Sequence, residues 1–302
     1  MSIVVTGATG ALGRLVIEAL WKRIAPGEII AVARDRARTA DLAARGVEVR
    51  IADYSKPETL EGVFAAGDRV LLISGNEAGQ RVDQHRAVID AAREAGVTLL
   101  AYTSVLGGPA ATFSIAEEHI ATEQALLASR VPYCLLRNGW YHENYTGVLA
   151  TTLSTGAVVG SAGAGRVATA ARRDYAEAAA IVLTGTGHEN SVYELSGDTA
   201  WTMAEYAAEV SRQTGRKIPY RELPPEQYVA LGVPPCSSAA ESLGEVEAGV
   251  PALGAQMVAD ADAAIARGEP AATPGDLARL LGRPTTPLAE AIADALQELP
   301  LS

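Results

Sequence analysis

The sequence is poor in lysine, and its charge is one-sided. Only three of its 25 basic residues are lysine, and the formal net charge is -11 at pH 7. A nucleic-acid surface needs clustered Lys and Arg to neutralise phosphates. This balance therefore argues against a nucleic-acid partner and favours a small ligand.

Cysteine is equally scarce. Cys134 and Cys236 are the two cysteines among 302 residues, and they follow no metal-ligand spacing. Two cysteines are too few for a disulfide framework. We expect both to be buried, reduced thiols, and we predict no metal site.

The chain also lacks a hydrophobic run of membrane-spanning length. Met1 leads straight into the apolar run Ile3-Val4-Val5, without a basic stretch followed by a cleavable apolar segment. We therefore expect a cytoplasmic protein that has no membrane partner.

What is present is ordinary globular composition, with 48% hydrophobic and 20% charged residues. Up to about residue 137, short apolar runs alternate with longer segments of helical period, which is typical of a parallel sheet covered on both faces. The predicted strands are 2–6, 28–33, 47–52, 69–73, 97–103 and 132–136. The predicted helices between them are 11–23, 36–45, 57–65, 79–95 and 115–129. Because crossovers are right-handed, residues 1–137 should form a doubly wound α/β domain of the Rossmann type.

After residue 137 the alternation loosens. We predict that residues 138–302 form mainly a smaller α+β substrate lobe, with segments of this later chain rejoining the first domain. Its predicted strands are 157–160, 191–195 and 217–221, and its predicted helices are 173–184, 202–214 and 286–298. The stretch 232–254 is rich in Pro, Ser and Gly and predicts a long loop or lid over a pocket.

A glycine-rich turn follows the first predicted strand, and a helix follows the turn at once. Gly7 allows a tight exit from the strand, Gly10 lets the backbone approach a pyrophosphate, and Gly13 lets the helix pack closely on the sheet. The helix N-terminus adds free N–H groups and a positive dipole end. A chance turn is the alternative, but this context favours a dinucleotide site. Its predicted residues are Gly7, Ala8, Thr9, Gly10, Ala11, Leu12 and Gly13.

The end of the second strand bears on the choice of cofactor. An acidic residue there would bind the ribose hydroxyls of NAD, whereas a basic residue would accept a 2′-phosphate. Here Arg34 comes first and Asp35 follows, and Arg36 and Arg38 add positive charge. We predict NADPH. A solvated basic helix start is the alternative reading, and Asp35 leaves NADH open.

Two further strand ends are predicted to line the cofactor. Asp53 and Tyr54 are placed to flank the adenine, with Asp53 accepting from its exocyclic amine, although an Asp at this position can equally cap a turn. Ser74, Gly75 and Asn76 should pass under the nicotinamide ribose, because ligands of such sheets lie across the carboxyl ends of the strands.

The Tyr-Lys proton relay of many nicotinamide-dependent dehydrogenases is missing. Neither Lys22, Lys56 nor Lys217 stands four residues after a tyrosine. Where that pair would be expected, His119 and Glu123 share a helix face, either as a proton donor with its orienting partner or as a pair that stabilises the helix. Without a strong acid, the chemistry best suited is hydride delivery to an acceptor that needs little proton assistance, such as a quinone.

The stretch Asn138-Gly139-Trp140-Tyr141-His142-Glu143-Asn144-Tyr145 follows the sixth strand and should open on the same cleft. Its mixture of aromatic and polar residues suits a planar ligand. We predict that Asn138 and Tyr141 face the cofactor, while at least one of the aromatic residues is a core residue at the lobe junction.

Several segments match a known family. They are Thr6 to Gly13, Arg34, Ala101-Tyr102-Thr103-Ser104, Glu117 to Glu123, Leu136 to Tyr145, Gly160-Ser161-Ala162-Gly163, Asp174-Tyr175, Tyr193 to Gly197 and Gly282 to Leu288. In these segments the chain resembles the NmrA-like atypical short-chain dehydrogenases, in the group that holds NAD(P)H:quinone oxidoreductase type 2 and triphenylmethane reductase. The resemblance covers nearly the full length and loosens between residues 234 and 272.

The resemblance implies an NADPH-dependent oxidoreductase that passes hydride to a quinone or related planar aromatic acceptor without flavin. It implies that Asn138 and Tyr141 lie near the nicotinamide and the substrate, and we add His119 and Tyr102 as catalytic candidates. Outside the glycine turn, the resemblance implies that the cofactor residues are Arg34, Arg38, Ser74, Gly75, Asn76, Asn138, Gly139, Trp140, Tyr141, His142 and Glu143. We add Asp53 and Thr103 as predicted cofactor residues.

Two other functions remain open. One is a tailoring oxidoreductase that acts on an aromatic polyketide or quinone in the same pocket. The other is a non-catalytic, dinucleotide-sensing regulator, with which the missing Tyr-Lys pair is compatible; the segment Trp140-Tyr141 and the pair His119 and Glu123 favour an enzyme instead. A homodimer is compatible with the sequence.

Overall fold

The computed structural model describes residues 1–77, 79–230 and 251–299, with the side chains of 251–258 excepted. In chain order the strands are β1 (Ile3–Val5), β2 (Ile29–Ala33), β3 (Glu48–Ile51), β4 (Arg69–Leu72), β5 (Leu99–Val105), β6 (Tyr133–Asn138), β7 (Val158–Gly160), β8 (Arg166–Ala168), β9 (Ser191–Leu195), β10 (Ala200–Thr202) and β11 (Tyr220–Glu222).

The α-helices of the described residues are α1 (Ala11–Trp21), α2 (Ala40–Ala44), α3 (Arg81–Ala95), α4 (Ala116–Ser129), α5 (Glu143–Thr146), α6 (Leu149–Thr155), α7 (Arg172–Thr184), α8 (Met203–Thr214), α9 (Pro225–Ala230), α10 (Pro251–Ala266), α11 (Asp276–Leu281) and α12 (Leu288–Glu298). Short 3-10 helices lie at Pro26–Glu28, Arg36–Thr39, Pro57–Leu60, Gly108–Ala110 and Glu269–Ala271.

The chain divides into two compact units, and neither is continuous in sequence. Unit 1 comprises Met1–Pro109, Ile115–Asn138 and Arg173–Leu195. Unit 2 comprises Ala110–Ser114, Gly139–Arg172 and the described residues from Ser196 onward.

Unit 1 is built on a parallel sheet. Its seven described strands follow the order β3-β2-β1-β4-β5-β6-β9, and every neighbouring pair is parallel. Strands β1, β2, β4 and β5 are buried along their whole length, as expected for strands covered by helices on both faces. The strand order reverses beside β1, and this reversal is where ligands of such sheets bind. The predicted doubly wound α/β class is confirmed.

Unit 2 combines small sheets with helices. Strands β8 and β10 pair antiparallel, while β7 and β11 pair parallel. Its core gathers Val167, Trp201, Tyr206, Val210 and Ile292, each at most 5% exposed. The core of this unit therefore combines aliphatic side chains with the aromatic rings of Trp201 and Tyr206.

One predicted α-helix of unit 1 is wrong in type, and another begins later than predicted. Residues 57–65 form only the 3-10 turn Pro57–Leu60, because the Thr59 hydroxyl bonds back to Asp53 and Gly62 takes a left-handed φ of 71°. Segment 36–45 starts as the 3-10 turn Arg36–Thr39 before α2 begins.

The prediction missed β8, β10, α5, α6, α9 and α11, which are all short, and it also missed the longer helix α10. Most of the predicted loop 232–254 lies outside the described residues, but α10 is helical from Pro251, so the loop prediction is wrong for 251–254. Cys134 is a buried free thiol, as expected, and burial raises its pKa to about 12. Cys236 lies outside the described residues.

Candidate functional site

The glycine turn lies at the carboxyl end of β1, at the strand-order reversal of unit 1. Gly7 has a φ of 60°, and a Cβ placed on Gly13 would stand 2.3 Å from the Gly7 carbonyl oxygen and 2.8 Å from the Ala8 Cα. Residue 13 must therefore be glycine if α1 is to start this close to the turn. No side chain of the described residues caps α1 at Gly10, so the N–H groups of its first turn are left for a ligand.

The chain leaving β4 is held beside this turn by two buried threonines. The Thr6 hydroxyl donates to the Leu71 carbonyl and accepts from the Ile73 N–H at 3.2 Å. The Thr103 hydroxyl accepts from the Ser74 N–H at 2.9 Å. Thr103, a predicted cofactor residue, thus fixes the backbone of a predicted cofactor loop, and Thr6 does the same.

Residues Arg81 and His85 of α3 hold the next peptide of that loop. The Gly75 N–H donates to His85 Nε2 at 2.8 Å, and Arg81 Nε donates to the Gly75 carbonyl at 2.6 Å. Sequence reasoning missed both side chains. The available signal was their spacing of four residues on one helix face directly after a predicted cofactor loop.

The end of β2 carries Arg34 and Asp35, and both are exposed. Arg34 is 63% exposed and pairs with Glu77 at 2.8 Å. The Asp35 carboxylate accepts from the Ala37 N–H at 2.8 Å and caps the turn Arg36–Thr39. Arg38 is exposed on that turn, and its carbonyl accepts from Arg14 at 2.8 Å.

Asp53 serves as a turn cap at the end of β3. One carboxylate oxygen accepts from the Ser55 N–H at 3.0 Å and from its hydroxyl at 2.7 Å. Burial would raise the pKa of Asp53, but the two bonds from Ser55 and the nearby charges of Arg34 and Lys56 together outweigh it, and the pKa is lowered. The capping alternative is therefore present, and the adenine contact stays a prediction. Burial raises the pKa of the neighbouring Tyr54 hydroxyl.

Asn138 ends β6 at the same carboxyl edge of unit 1. Its Oδ1 atom is buried without a hydrogen-bond partner among the described residues. A buried carbonyl oxygen of this kind normally finds a donor, so its isolation points to a ligand N–H. Unit 1 therefore brings together residues 7–13, Arg34, residues 74–76 and Asn138 at one edge of the sheet.

Tyr102 and His119 form a pair, and Tyr102 stands opposite Leu72, the last residue of β4. Both are buried, and the Tyr102 hydroxyl bonds to His119 Nδ1 at 2.7 Å. Burial, with Arg81 and His85 nearby, holds the pKa of His119 well below its usual value, while burial raises that of Tyr102. Both groups are uncharged at neutral pH, so His119 carries no imidazolium proton to donate in its present surroundings.

The predicted orientation of His119 by Glu123 is not what the structure shows. Glu123 accepts from the Ser104 hydroxyl at 2.5 Å and forms an ion pair with Arg137 at 2.7 Å. Arg137 also pairs with Glu194 at 2.7 Å, which joins β6 to β9. Because Glu123 binds two stronger partners, the i, i+4 spacing alone does not create the pair with His119.

The rest of the predicted stretch, from Gly139 onward, belongs to unit 2. Trp140 packs edge-on against Phe113 with ring centroids 5.0 Å apart, and the Arg172 guanidinium lies 4.9 Å from the Tyr141 ring centroid. His142 is buried, with its ring nitrogens bonded to the Thr169 hydroxyl at 2.6 Å and the Thr286 carbonyl at 2.8 Å.

Polar contacts of the same stretch fix its backbone. The Glu143 carboxylate accepts from the Arg172 N–H at 3.0 Å. The Tyr141 backbone bridges to Ala170. His142 and Glu143 therefore stabilise the segment that carries Trp140 and Tyr141.

Two negative findings apply to the described residues only. They contain no group of three or more His, Cys, Asp or Glu that could hold a metal ion. Nor does any helix among them have the length and apolar character needed to cross a membrane.

Comparison with known families supports the sequence resemblance. The model of the NmrA-like family matches residues 1–251. This chain belongs to the NmrA-like family. The resemblance inferred from the sequence motifs is therefore confirmed.

Among NmrA-like relatives, quinone oxidoreductase 2 of Escherichia coli (strain K12) is 43% identical over 291 residues, which cover 96% of this chain and 97% of that protein. The crystal structure of the E. coli NADPH-dependent quinone oxidoreductase complexed with NADPH matches with a TM-score of 0.88 at 42% identity, covering 97% of this chain and 99% of that one.

The triphenylmethane reductase of Citrobacter sp., solved in complex with NADP(H), is similarly close in fold. It matches with a TM-score of 0.88 at 38% identity, and the match covers 97% of this chain and 100% of that one.

Proposed function

We propose that this NmrA-like protein is an NADPH-dependent oxidoreductase that reduces a quinone or a related planar aromatic acceptor by direct hydride transfer, without flavin. The observation that carries the proposal is the glycine turn of unit 1, where a Cβ on Gly13 would collide with the Gly7 carbonyl. Such a turn brings free N–H groups within reach of a pyrophosphate. NADPH, when bound there, supplies the hydride.

The residues around the turn fit NADPH better than NADH. Arg34 is exposed and offers a guanidinium fork to a 2′-phosphate. Asp35, which could have bound the ribose hydroxyls of NADH, is engaged in capping the Ala37 N–H. The unpartnered Asn138 Oδ1 can accept from the carboxamide N–H of a nicotinamide.

The acceptor class is supported by the relatives. Proteins at 43% and 38% identity are named quinone oxidoreductase and triphenylmethane reductase, and both names point to conjugated ring acceptors. We assign acceptor binding to Trp140 and Tyr141, since these aromatic side chains come two and three residues after Asn138 in the chain. Orientation of the two reactants then supplies most of the rate enhancement, since the lowered pKa of His119 leaves its ring without an imidazolium proton to donate.

The test is a NADPH oxidation assay with purified protein and a panel of quinones and triphenylmethane dyes. We expect oxidation that depends on the acceptor. Arg34→Ala should raise the Kd for NADPH by about tenfold or more, because a charge-assisted hydrogen bond contributes about 1.5–3 kcal/mol, and it should change the Kd for NADH far less.

Arg93→Ala is the matched control. Arg93 makes a similar exposed ion pair, with Asp90 at 2.9 Å, but it lies at the far end of α3. Its Kd for NADPH should match the wild type. Tight NADPH binding with no acceptor-dependent oxidation would contradict the reductase proposal and favour the sensor.

A further inference from the structure

Three polar side chains on the first turns of α3 are buried against the loop that follows β4. Arg81, Gln84 and His85 are 5%, 6% and 0% exposed. Their i, i+3, i+4 spacing places them on one helix face, where a packing helix would normally present apolar residues. Burying three polar groups costs free energy unless each is bonded, so their partners indicate what the face is for.

His85 has a single tautomer that satisfies its neighbours. Its Nε2 accepts the Gly75 N–H at 2.8 Å and must therefore be unprotonated. Its Nδ1 lies 3.0 Å from the Thr122 hydroxyl, which donates its own proton to the Glu118 carbonyl at 2.8 Å. Nδ1 consequently carries the ring proton and donates to Thr122. Burial, with a contribution from Arg81, lowers the pKa of His85 to about 3, in agreement with a neutral ring.

The other two side chains bind the same loop. Arg81 donates to the Gly75 carbonyl at 2.6 Å and is itself paired with Glu118 at 2.6 Å. Gln84 donates to Glu77 at 2.7 Å, on the carboxylate that also binds Arg34. A Cβ on Gly75 would lie 3.1 Å from the Gln84 side-chain oxygen, so the loop is packed closely against this face.

We propose that His85 is a positioning residue for the dinucleotide, which holds the peptide of Gly75 so that residues 74–76 meet the bound cofactor. The inference rests on the proposed function, because it assumes that NADPH lies against this loop. His85 itself is buried and acts only through the Gly75 backbone.

The physical reason is preorganisation. Residues 74–76 offer one glycine and two small polar side chains, so little in the loop itself restricts its backbone. A loop that is not held before binding must be ordered during binding, and the ordering entropy then weakens affinity. The bonds from Thr6, Thr103 and His85 order the loop when the protein folds, so little ordering remains for the binding step.

Two variants distinguish the hydrogen bond at Nε2 of His85 from the one at Nδ1. The Gln amide reaches the position of Nε2, so His85→Gln can still accept the Gly75 N–H. The shorter Asn amide reaches only the position of Nδ1, so His85→Asn keeps the bond to Thr122 and leaves Gly75 without a partner. We expect His85→Asn to raise the Kd for NADPH by about tenfold and His85→Gln by less than about threefold.

His188→Asn is the matched control. His188 also lies in unit 1 and bonds through Nδ1 to the Tyr193 hydroxyl at 2.7 Å, but it precedes β9 and so lies at the amino end of the sheet. Its Kd for NADPH should be unchanged. Equal losses of affinity in His85→Asn and His85→Gln, or no loss in either, would overturn the proposal.

A second measurement does not depend on cofactor binding. Proton–nitrogen correlation spectra of the histidine rings should show His85 as the Nδ1–H tautomer, unchanged between pH 5 and 8. An Nε2–H tautomer would refute the bond to Gly75. If the spectra agree but the wild type fails to bind NADPH, the proposed function is wrong and the local geometry stands.

Discussion

The two units build their candidate sites from different materials. In unit 1 the site is mostly backbone: glycine at residues 7, 10 and 13, and a loop held by Thr6, Thr103 and His85. In unit 2 the corresponding segment carries aromatic side chains, such as Trp140 against Phe113. A backbone site tolerates almost no added atoms, whereas an aromatic site depends on which neighbours fill its core. Substitutions should therefore affect cofactor affinity in unit 1 and stability in unit 2.

The largest expected effect is that of Gly13→Ala. Its Cβ would stand 2.3 Å from the Gly7 carbonyl, so α1 or the turn must shift, and overpacking of this kind costs about 1–3 kcal/mol. We expect the Kd for NADPH to rise by about 100-fold, since the shift displaces the N–H groups of the turn. Titration of cofactor fluorescence measures it.

Gly27→Ala is the control for this change. A Cβ on Gly27 meets nothing within 4 Å, so stability and cofactor affinity should stay at the wild-type level. If Gly13→Ala binds NADPH as well as Gly27→Ala does, the backbone of unit 1 is not the cofactor site and the comparison fails.

Sequence reasoning succeeded where chemistry is local. The turn at residues 7–13 and the buried strand and helix around it are encoded by neighbouring residues, so β1, the glycine turn and α1 could be predicted together. It failed for the pair of His119 and Glu123 on α4, because Ser104 of β5 and Arg137 of β6 bind Glu123 instead. Contacts between residues distant in sequence leave no periodic signal.

The next largest effect is a pH dependence in unit 2. Asp262 of α10 is 7% exposed and accepts from the Ser161 N–H at 2.7 Å. Burial raises the pKa of Asp262 from 3.8 to about 6, with Glu222 adding to the rise and the bonds from Ser161 opposing it. The folded state therefore holds this proton more tightly than the unfolded state does.

The sign of the pH effect follows from that shift. The contribution of Asp262 to stability is fully present below pH 4 and is lost as the pH rises through 6. Asp262→Asn cannot ionise and its amide oxygen can still accept from Ser161. We expect it to be about 2 kcal/mol more stable than the wild type at pH 7.5, and equally stable near pH 4, in urea unfolding.

Glu209→Gln provides a control, because the pKa of Glu209 is shifted in the opposite direction from that of Asp262. The hydrogen bond from Arg212 lowers the pKa of Glu209 to about 2, so the group stays ionised from pH 5 to 8 and gives no slope there. NADPH affinity should be unchanged in both variants. A loss of NADPH affinity in Asp262→Asn would contradict the expectation that substitutions in unit 2 change stability and leave cofactor affinity unchanged.

The smallest effect is predicted for Trp201→Phe. This change removes the bond from Trp201 Nε1 to the Thr169 hydroxyl at 2.9 Å and part of a buried ring. We expect a loss of about 1.5 kcal/mol in the free energy of unfolding, with no change in the Kd for NADPH.

Trp21→Phe in unit 1 is matched to it. The Trp21 Nε1 atom has no hydrogen-bond partner among the described residues, so the same change removes no such bond there. It should cost less than Trp201→Phe. Equal costs in the two variants would show that the Thr169 bond contributes nothing to unit 2.

Parts of unit 2 were beyond prediction for a related reason. Strands β8 and β10 have only three residues each, too few for alternation to stand out, and they pair across more than thirty residues of chain. The Thr169 hydroxyl that joins His142 to Trp201 likewise has no local signature. Such contacts depend on the finished fold.

The interrupted order of unit 1 has a consequence for biosynthesis. Strand β6 emerges from the ribosome at Asn138, but its neighbour β9 is complete only at Leu195. At 5–20 residues per second, the outer edge of β6 stays unpaired for roughly 3–11 s. An open strand edge is a template for pairing with other chains. During this interval the nascent protein exposes the edge of β6, and a chaperone that binds the edge would prevent pairing with other chains.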